Sequence, residues 1–438
     1  MALEKVNSPE DLKKLSREEL IVLAQDIRDA MLHRVSNKGG HVGPDFGAVE
    51  LIIALHKVFN SPVDKFVFDV SHQCYPHKII TGRKFGFLDL DRYSEVSGYT
   101  NQDESEHDFF KIGHTSTSVS LATGLAKARD LRGVKENIIA IIGDGSLSGG
   151  EAFEGLNVAS ELNTNMIIIA NDNDMSIAEN HGGLYKNLRE LRENNGQAQN
   201  NYFKSLGLDY IYVDKGNDLE ALIEVFEKVK DIDHPIVVHV HTQKGKGLPY
   251  AEKDKETWHY GMPFDPETGE PAYGKTRQGY SDDSAWARGQ AWLIYGIALC
   301  NAYAPAETNV EYFQAVTNYF LNRVPEDFVC YWDLIFDDTS GQPRDTSAAA
   351  IAVCGIQQMA KELPNNEAIK EYEKWADRIL YNLITKYTDK KGSTIVALLN
   401  EGVYSWHSGK GVNEGNIWGD YFYLEALMRK KKDWEMYW

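Results

Sequence analysis

The chain has 438 residues, a length that at about 100–200 residues per domain indicates two or three domains. Its 42% hydrophobic and 25% charged residues are typical of a globular protein and exclude collagenous and wholly disordered chains. Lys and Arg number 46 against 65 Asp and Glu, which gives a formal net charge of −19. The electrostatic field of such a negative charge repels phosphate backbones and anionic lipid, so we expect no nucleic-acid or membrane partner.

The cysteine pattern and the N-terminus bear on the cellular compartment. The four cysteines lie far apart and form no C-x-x-C pair, so neither a disulfide framework nor a thiolate zinc site is expected. The first residues carry charges where a signal peptide needs an apolar run, and no stretch approaches the roughly 18 apolar residues of a membrane span. These features predict a cytoplasmic protein.

The composition of the chain changes near residue 271. Before Pro271 lie 24 of the 36 Gly, 12 of the 13 His and one of the 9 Trp, whereas eight Trp and a single His follow it. The stretch 263–271 is rich in turn-forming residues and fits a connector between domains. We therefore predict one domain over residues 1–270 and a second over residues 271–438.

Short apolar runs rich in β-branched residues alternate with helical patterns in the first part. The runs lie at residues 66–70, 138–142, 166–170 and 236–240. Between them apolar residues recur at helical spacing, for example over 151–161 and 218–230. Strands that are apolar on both faces are typical of a parallel sheet covered by helices, so the pattern predicts a doubly wound α/β domain.

The most informative segment, residues 142–151, reads IGDGSLSGGE and lies between a buried strand and a helix. Glycines allow a sharp turn close to a ligand, and free N–H groups at a helix start favour an anion such as a diphosphate. The next apolar run is followed by NDNDM, so Asp144 and Asn173 are expected at matching strand ends. Carboxylate, amide and carbonyl oxygens, completed by phosphate oxygens, suit Mg²⁺.

Two alternatives stay open on the spacing alone. A Gly-x-Gly turn after a strand also occurs as a purely structural turn, and dinucleotide-binding folds share it. The spacing here is G-x-G-x-x-x-G rather than G-x-G-x-x-G, and Asp144 between the first two glycines would repel a bare pyrophosphate. A metal ion is therefore required in any phosphate-binding interpretation.

Two motifs together, Gly143-Asp144-Gly145 and Asn171-Asp172-Asn173, resemble the thiamine-diphosphate motif of the transketolase superfamily. Residues 15–270 as a whole resemble the first domain of 1-deoxyxylulose-5-phosphate synthase and its transketolase-like relatives. Further motifs that agree with this resemblance are GGH at 39–41, DVSHQ at 69–73, YPHK at 75–78, GHTSTS at 113–118 and KGKG at 244–247.

The resemblance implies thiamine diphosphate and Mg²⁺ as cofactors, and a sugar or sugar phosphate as the substrate of a 2-carbon ketol or acyl transfer. It makes the side chains of Asp144 and Asn173 and the carbonyl of Met175 ligands of Mg²⁺. The implied cofactor-binding residues are Gly143, Asp144, Gly145, Ser146, Asn173, Met175 and Lys244. The implied catalytic residues are His41, His72 and His114, because imidazoles can move protons at neutral pH while the cofactor stabilises a carbanion.

The same resemblance implies that the site is incomplete. In that family a second domain supplies the glutamate that protonates the aminopyrimidine ring of the cofactor, and nothing after residue 271 resembles that domain. Some relatives divide these domains between two chains, so a partner chain with a pyrimidine domain is expected. Alone, the first domain is expected to bind the cofactor weakly and to turn over nothing.

The second part has almost no strand pattern and consists of long amphipathic segments. These segments span residues 283–304, 310–324, 346–362, 367–387 and 419–430. Polar loops that contain Gly or Pro separate them. The pattern predicts five helices arranged as antiparallel hairpins.

Residues 278–292 read QGYSDDSAWARGQAW and resemble the unsaturated glucuronyl hydrolases, as do RDTSA at 344–348, WHSGKG at 406–411 and WGDY at 418–421. The resemblance implies a partial (α/α) barrel and a site for an unsaturated uronic acid. Its implied substrate-binding residues are Gln278, Arg288, Trp292, Ser408 and Lys410, the last two in a loop over the sugar. On the residues alone, a buried aromatic helix with a capping arginine is favoured over a sugar-binding site.

The catalytic aspartates of that hydrolase family belong to an amino-terminal half with no counterpart in this sequence. The available carboxylates are predicted to be helix caps or supports, namely Asp282, Asp283, Asp333, Asp345 and Asp420. The resemblance makes a hydrolase-like carbohydrate-active protein the alternative function, although glycosidase activity of this chain is not expected, and a chimera without turnover is the third. A half-barrel leaves apolar helix faces uncovered, which predicts self-association through the second part.

Overall fold

The structure is a computed structural model that describes residues 1–274, 276–388 and 396–435. The chain divides into two compact units, Met1–Tyr273 and Gly274–Trp438. Each unit has its own hydrophobic core. None of the helices in the described ranges is long and apolar enough to cross a membrane.

The first unit contains a parallel sheet and a separate short antiparallel pair of strands. Its strands are β1 (Gly40–His41), β2 (Lys65–Phe68), β3 (Ile138–Gly143), β4 (Met166–Asp172), β5 (Asp209–Val213), β6 (Pro235–His241) and β7 (Tyr260–Gly261). Within residues 1–274, five of them form a parallel sheet in the order β2-β3-β4-β6-β5. The remaining two, β1 and β7, form a short antiparallel pair.

Helices cover this sheet. They are α1 (Pro9–Lys13), α2 (Arg17–Lys38), α3 (Gly43–Gly47), α4 (Val49–Val58), α5 (Tyr75–Lys78), α6 (Phe85–Leu88), α7 (Ser118–Arg132), α8 (Gly150–Leu162), α9 (Gly183–Glu193), α10 (Tyr202–Ser205), α11 (Leu219–Val229) and α12 (Pro249–Lys253). Single helical turns of the 3₁₀ or π type lie at Leu3–Lys5, Ile79–Arg83, Tyr93–Glu95, Asp144–Ser148 and Thr257–His259.

The side chains of the central strands alternate between two hydrophobic cores. In β3, Ile139 and Ile141 belong to one core, whereas Ile138 and Ile142 belong to the other. Helices α2, α4 and α11 contribute to the first core, and α7, α8 and α9 contribute to the second. A period of two with apolar side chains on both faces is the geometry of a covered parallel sheet. The predicted doubly wound α/β fold is confirmed.

One helix end places a residue of the candidate site. Helix α2 begins with a capping box, in which Ser16 accepts a hydrogen bond from the backbone of Glu19 and Glu19 accepts one from the backbone of Ser16. The helix ends at Lys38 and is capped by Gly39, whose φ of +74° suits glycine. The chain then enters β1, which carries His41.

The described residues of the second unit form five helices, as predicted. They are α13 (Ala287–Tyr303), α14 (Glu307–Leu321), α15 (Thr346–Glu362), α16 (Glu367–Lys386) and α17 (Ile417–Lys431). Helix α15 is buried on nearly all sides because α13, α16 and α17 pack around it. The sequence pattern did not predict the antiparallel hairpin of β8 (Gly402–Ser405) and β9 (Lys410–Glu414).

Candidate cofactor site

The carboxyl ends of β3 and β4 meet at one edge of the sheet. Gly143 pairs in register with Asn171, so the residues that follow them begin at the same level. After Gly143 the chain makes the 3₁₀ turn Asp144–Ser148, and α8 starts at Gly150. Asp144 and Asn173 are both buried, at 2% and 7% exposure. A buried polar edge of this kind is where open α/β sheets bind their ligands.

A cavity of about 460 Å³ lies at this edge. The predicted site residues that line it are His41, His72, Gly143, Asp144, Gly145, Ser146, Asn173, Met175 and Lys244. The other lining residues are Pro44, Val70, Gln73, Thr115, Ser176, Ile177, Ala178 and His259. The predicted residue His114 is not among them, although its neighbour Thr115 is. His114 is exposed, and its Nδ1 lies 2.9 Å from the carbonyl oxygen of Thr115.

The glycine turn brings two loops into close contact. The carbonyl oxygen of Gly145 accepts a hydrogen bond from the hydroxyl of Tyr185 at 3.1 Å. A Cβ on Gly145 would lie 2.6 Å from Cβ and 3.1 Å from Cα of Ser176. Only glycine therefore allows the turn after β3 to approach the loop after β4 this closely.

Asn173 carries an uncommitted oxygen in this buried setting. Its Oδ1 is buried and has no hydrogen-bond partner. An unpartnered buried carbonyl oxygen is costly unless a ligand or ion completes it. Oδ1 of Asn173 is therefore a buried acceptor that a bound cation would satisfy.

Asp144 lies in an environment that disfavours its negative charge. Burial, and next the nearby charge of Asp172, raise the pKa of Asp144 well above its ordinary value. Its Oδ2 accepts a hydrogen bond of 2.7 Å from the amide of Asn180. A divalent cation would relieve this penalty, and carboxylate, amide and carbonyl oxygens form a donor set that Mg²⁺ accepts. Over the described residues, no group of three or more His, Cys, Asp or Glu side chains is arranged to hold a metal.

The loop after β4 is anchored by the residues on either side of Asn173. Asn171 donates a hydrogen bond to Gln73 at 2.9 Å and accepts one from Thr242 at 2.5 Å. Asp172 binds Nη1 of Arg192 at 2.5 Å and Nε2 of His239 at 2.8 Å. Burial opposes the charge of Asp172, but the hydrogen bonds and charges of His239 and Arg192 outweigh it and lower the pKa to about 2. Asp172 is therefore an anion at neutral pH.

Lys244 reaches the cavity from the segment after β6. It is 1% exposed, and its Nζ donates to the carbonyl oxygens of Ser176 at 2.7 Å and Ile177 at 3.4 Å. Burial lowers the pKa of Lys244 to about 8. The ammonium group thus places a positive charge beside the cavity and holds the Ser176–Ile177 backbone.

Three imidazole rings face one another at the cavity. The ring centroids of His41 and His72 lie 5.4 Å apart, and that of His259 lies 5.8 Å from His41 and 5.4 Å from His72. Nδ1 of each ring is buried without a hydrogen-bond partner. Burial lowers the pKa of His41 and of His259 to about 4, and that of His72 well below its ordinary value. All three rings are therefore neutral at pH 7.

His259 also lines the cavity, although no motif in the sequence predicts it as a site residue. It reaches the cavity because β7 pairs with β1, with Tyr260 opposite His41 and Gly261 opposite Gly40. The two strands are separated by most of the first unit in sequence, so no local spacing connects the two histidines. The sequence feature that could have pointed to His259 as a site residue is the position of Trp258-His259-Tyr260 shortly before the predicted connector.

The predicted sugar-binding residues of the second unit have different environments. Arg288 is 4% exposed, and its guanidinium binds the side chains of Asp345 and Ser347 and the carbonyl oxygens of Val403 and Tyr404. Trp292 packs partly buried against Phe422. Gln278 is half-buried, whereas Ser408 and Lys410 are exposed.

None of these five residues lines either of two cavities within the described part of this unit, which measure about 480 and 540 Å³. Lys410 begins β9, and Ser408 lies in the turn before it. Their assignment as sugar ligands stays a prediction.

Most of the aspartates that the sequence predicts as caps or supports have such partners. Asp345 caps α15 by accepting a hydrogen bond from the backbone of Ser347. Asp333 is fully buried and binds the backbone of Tyr280 and the hydroxyl of Ser284. Asp420 accepts from the backbone of Leu398 and Leu399, and Asp282 accepts from the backbone of Thr276.

A glycine-lined cavity at the carboxyl edge of a parallel sheet, with buried oxygen donors and a lysine beside it, defines the first unit as an α/β cofactor-binding domain. The family model described as "1-deoxy-D-xylulose-5-phosphate synthase" matches residues 3–201 and 195–242. These matches together span more than half of the chain. The chain therefore belongs to the 1-deoxy-D-xylulose-5-phosphate synthase family.

Individual relatives agree with this assignment. The chain is 43% identical over 316 residues to the 1-deoxy-D-xylulose-5-phosphate synthase of Caldanaerobacter subterraneus subsp. tengcongensis, which covers 64% of this chain and 51% of that protein. It is 41% identical over 319 residues to the enzyme of the same name from Thermus thermophilus, covering 65% of this chain and 51% of that protein. The chain thus spans about half the length of the curated relatives it matches.

Solved structures similar to the chain include an unsaturated glucuronyl hydrolase from Bacillus sp. GL1. The match has 36% sequence identity, covers 40% of this chain and 46% of that chain, and has a TM-score of 0.37. A TM-score this low establishes neither a shared fold nor an activity.

Proposed function

We propose that the first unit binds thiamine diphosphate together with Mg²⁺ and serves a transketolase-like transfer of a 2-carbon ketol or acyl group. A sugar or sugar phosphate is the proposed substrate. The observation that carries the proposal is the cavity at the ends of β3 and β4, in which Asn173 keeps a buried oxygen without a partner. Family membership supports the same cofactor.

Mg²⁺ would be held by the carboxylate of Asp144, Oδ1 of Asn173 and the backbone carbonyl of Met175. All three residues line the cavity, and they supply the hard oxygen donors that Mg²⁺ requires. The diphosphate would lie against Gly145 and Ser146, where a glycine turn precedes a helix start, with the charge of Lys244 beside it. When bound, thiamine diphosphate supplies the carbanion stabilisation that the transfer needs.

The three neutral imidazoles at the cavity would handle protons. A ring that is neutral at pH 7 can accept a proton from a hydroxyl or return one to a carbonyl oxygen. The free Nδ1 atoms of His41, His72 and His259 are the acceptors that the chain offers for this purpose. His114, which is exposed and outside the lining, stays a predicted substrate contact.

A partner chain that supplies a pyrimidine domain is also part of the proposal, and its support is the resemblance of residues 15–270 to the first domain of the transketolase-like enzymes. Apolar side chains beside the cavity give such a partner a surface to cover. Ile177, which lines the cavity, is 62% exposed, and Tyr260 and Met262 near His259 are 43% and 40% exposed. We expect the cofactor to bind this chain alone weakly, and turnover to require the partner.

Calorimetric titration of the purified chain with thiamine diphosphate, with and without Mg²⁺, tests the cofactor assignment. Binding that requires Mg²⁺ is expected. The variant Asp144→Asn keeps the shape of the side chain but removes its charge, and it should abolish the Mg²⁺-dependent binding of thiamine diphosphate. Asp214→Asn is the matched control, because Asp214 follows β5 at the same end of the sheet and is exposed.

The absence of binding to a folded chain would contradict the cofactor proposal and favour the chimera without turnover. Binding that Asp144→Asn leaves unchanged would contradict the metal assignment but retain the cofactor. Equal losses in Asp144→Asn and Asp214→Asn would attribute the effect to net charge at the sheet edge rather than to coordination.

A hydrolase-like role of the second unit is the alternative. Its sequence support is the resemblance to unsaturated glucuronyl hydrolases, but the guanidinium of Arg288 is already bound within the unit. Self-association through this unit is also proposed. It is supported by exposed apolar side chains on its helices, namely Leu293, Tyr312, Tyr381, Ile417 and Leu424.

A further inference from the structure

Arg192 joins the two residues that flank Asn173. Its Nη1 lies 2.5 Å from Oδ2 of Asp172, and its Nη2 lies 2.7 Å from Oδ1 of Asp174. The guanidinium side chain is 9% exposed, and the Asp172 side chain is fully buried. One planar fork therefore ties together the carboxylates immediately before and immediately after the proposed Mg²⁺ ligand.

The turn between these two carboxylates is also closed from within. The backbone N–H of Asp174 donates to Oδ1 of Asp172 at 3.0 Å. Asp174 has a φ of +60°, a left-handed conformation that is uncommon for a residue other than glycine. The chain must adopt it at the residue between Asn173 and Met175, both of which line the cavity. A turn in this conformation persists when contacts from outside it hold it in place, and the two contacts from Arg192 form such a clamp.

The Asp172 oxygen that binds Arg192 is also held by the sheet. Nε2 of His239 lies 2.8 Å from Oδ2 of Asp172, and Nδ1 of His239 lies 2.7 Å from the hydroxyl of Tyr210. His239 is fully buried in β6, so this side of the loop has a rigid support. Arg192, which comes from α9, links Asp174, at the other end of the turn, to that support.

We infer that Arg192 is a positioning residue that holds Oδ1 of Asn173 and the carbonyl of Met175 in place to bind Mg²⁺. The inference rests on the proposed cofactor function and deepens it. Arg192 touches neither the metal nor the cofactor in this assignment, and it acts through Asp172 and Asp174. Residues that orient metal ligands commonly change metal affinity by about 10–100-fold when they are replaced.

A lysine would not replace this arginine. Lysine carries a compact ammonium group, whereas the clamp uses two nitrogens of one rigid plane on two separate carboxylates. The same helix also offers a matched control. Arg189 lies 4.0 Å from the carboxylate of Asp174, but its side chain is 55% exposed. Exposed pairs of this kind contribute little.

The test is the Mg²⁺ concentration for half-saturation at fixed thiamine diphosphate, measured calorimetrically for the wild type and for Arg192→Gln, Arg192→Lys and Arg189→Gln. We expect an increase of about tenfold or more for both Arg192 variants and of less than about twofold for Arg189→Gln. Thermal unfolding without cofactor, followed by circular dichroism, reports whether each variant folds. If Arg192→Gln does not fold, Arg192→Lys provides the comparison.

The outcomes separate this inference from the proposed function. A wild-type chain that binds no thiamine diphosphate refutes the proposed function and the inference together. Normal wild-type binding with unchanged Mg²⁺ affinity in Arg192→Lys and Arg192→Gln refutes only the positioning role. Full rescue by lysine would also refute the clamp, because it would show that a positive charge alone suffices.

Discussion

Gly145 and Ser176 lie so close together that no side chain can be added between them. A Cβ on Gly145 would stand 2.6 Å from Cβ of Ser176. The glycine belongs to the turn after β3 and the serine to the loop after β4. Their contact therefore sets the distance between the proposed cofactor-binding residues of the turn and those of the loop.

The variant Gly145→Ala should therefore weaken thiamine-diphosphate binding. The new methyl group must displace the Ser176 backbone, which also accepts the hydrogen bond from Lys244. Overpacking of this kind typically costs about 1–3 kcal/mol, and we expect a similar loss in binding free energy. Calorimetric titration measures it.

The control for this prediction is Gly150→Ala. Gly150 is in the same segment at the start of α8, and a Cβ there would meet no atom within 4 Å. Equal affinities of Gly145→Ala and the wild type would show that the loops move apart without cost.

Acid should destabilise the first unit through a buried histidine pair. Nε2 of His56 lies 2.9 Å from Nδ1 of His77, and Nε2 of His77 lies 3.0 Å from Asp108. Burial, which outweighs the hydrogen bond to Asp108, lowers the pKa of His77 to about 4. Burial and then the charge of His77 lower the pKa of His56 well below its ordinary value.

The direction in which pH changes the free energy of unfolding follows from proton uptake by the unfolded chain. Below the ordinary value of 6.5 the unfolded chain binds protons that the native rings refuse, so the stability contribution is complete above pH 6.5 and decreases as the pH falls towards 4. His56→Gln keeps a donor for His77 and removes one titrating ring. We expect it to reduce the slope of unfolding free energy against pH by up to about 1.4 kcal/mol per pH unit.

Hydrogen exchange of first-unit peptides between pH 7 and 4.5 measures this slope. The exposed His181 provides the control variant, His181→Gln, which should leave the slope unchanged. A slope in His56→Gln equal to that of the wild type would rule out this source of acid sensitivity.

Arg288 should be essential to the stability of the second unit. It is buried, and it pairs with Asp345 at 3.2 Å while donating to two backbone carbonyls of the segment around β8. Replacing one partner of a buried pair leaves the other charge uncompensated, which typically costs about 3–5 kcal/mol. Arg288→Met should therefore lower the free energy of unfolding by about that amount.

Tryptophan fluorescence is the suitable probe, because eight of the 9 Trp lie after residue 271. Arg323→Met is the control, since Arg323 is exposed and surface changes usually shift stability by about 0.5 kcal/mol or less. A shift in Arg288→Met no larger than that of the control would mean that solvent reaches Asp345 and compensates its charge.

The elements that could be predicted from sequence are those with a strong local pattern. The runs at 66–70, 138–142, 166–170 and 236–240 became β2, β3, β4 and β6, because a buried parallel strand must be apolar throughout. Strand β5 was missed. It is a short edge strand, mostly half-exposed, and it lacks the continuous apolar run by which the four other strands were predicted.

The candidate site divides in the same way. Asp144 and Asn173 could be predicted to meet because strand order and strand ends determine where they lie, and the register of Gly143 with Asn171 places them so. The positions of His259 and Arg192 at the site could not be predicted from the sequence. The first enters through the pairing of β1 with β7, and the second through the packing of α9, and neither contact leaves a spacing in the sequence.

The apolar character of β4 has a consequence for how the sheet finds its alignment. From Met166 to Ala170 every residue is buried, so sliding the strand by one position would exchange one buried apolar face for another. Its polar ends help to distinguish the correct alignment from the shifted one. Asn165 binds Asn137 and the backbone of Ile138 before the strand, and Asn171 binds Gln73 at its end. The polar residues at the ligand-binding edge thus also help to fix the register of β4 while the sheet forms. Substitutions at Asn171 should therefore impair folding of the sheet even without the cofactor.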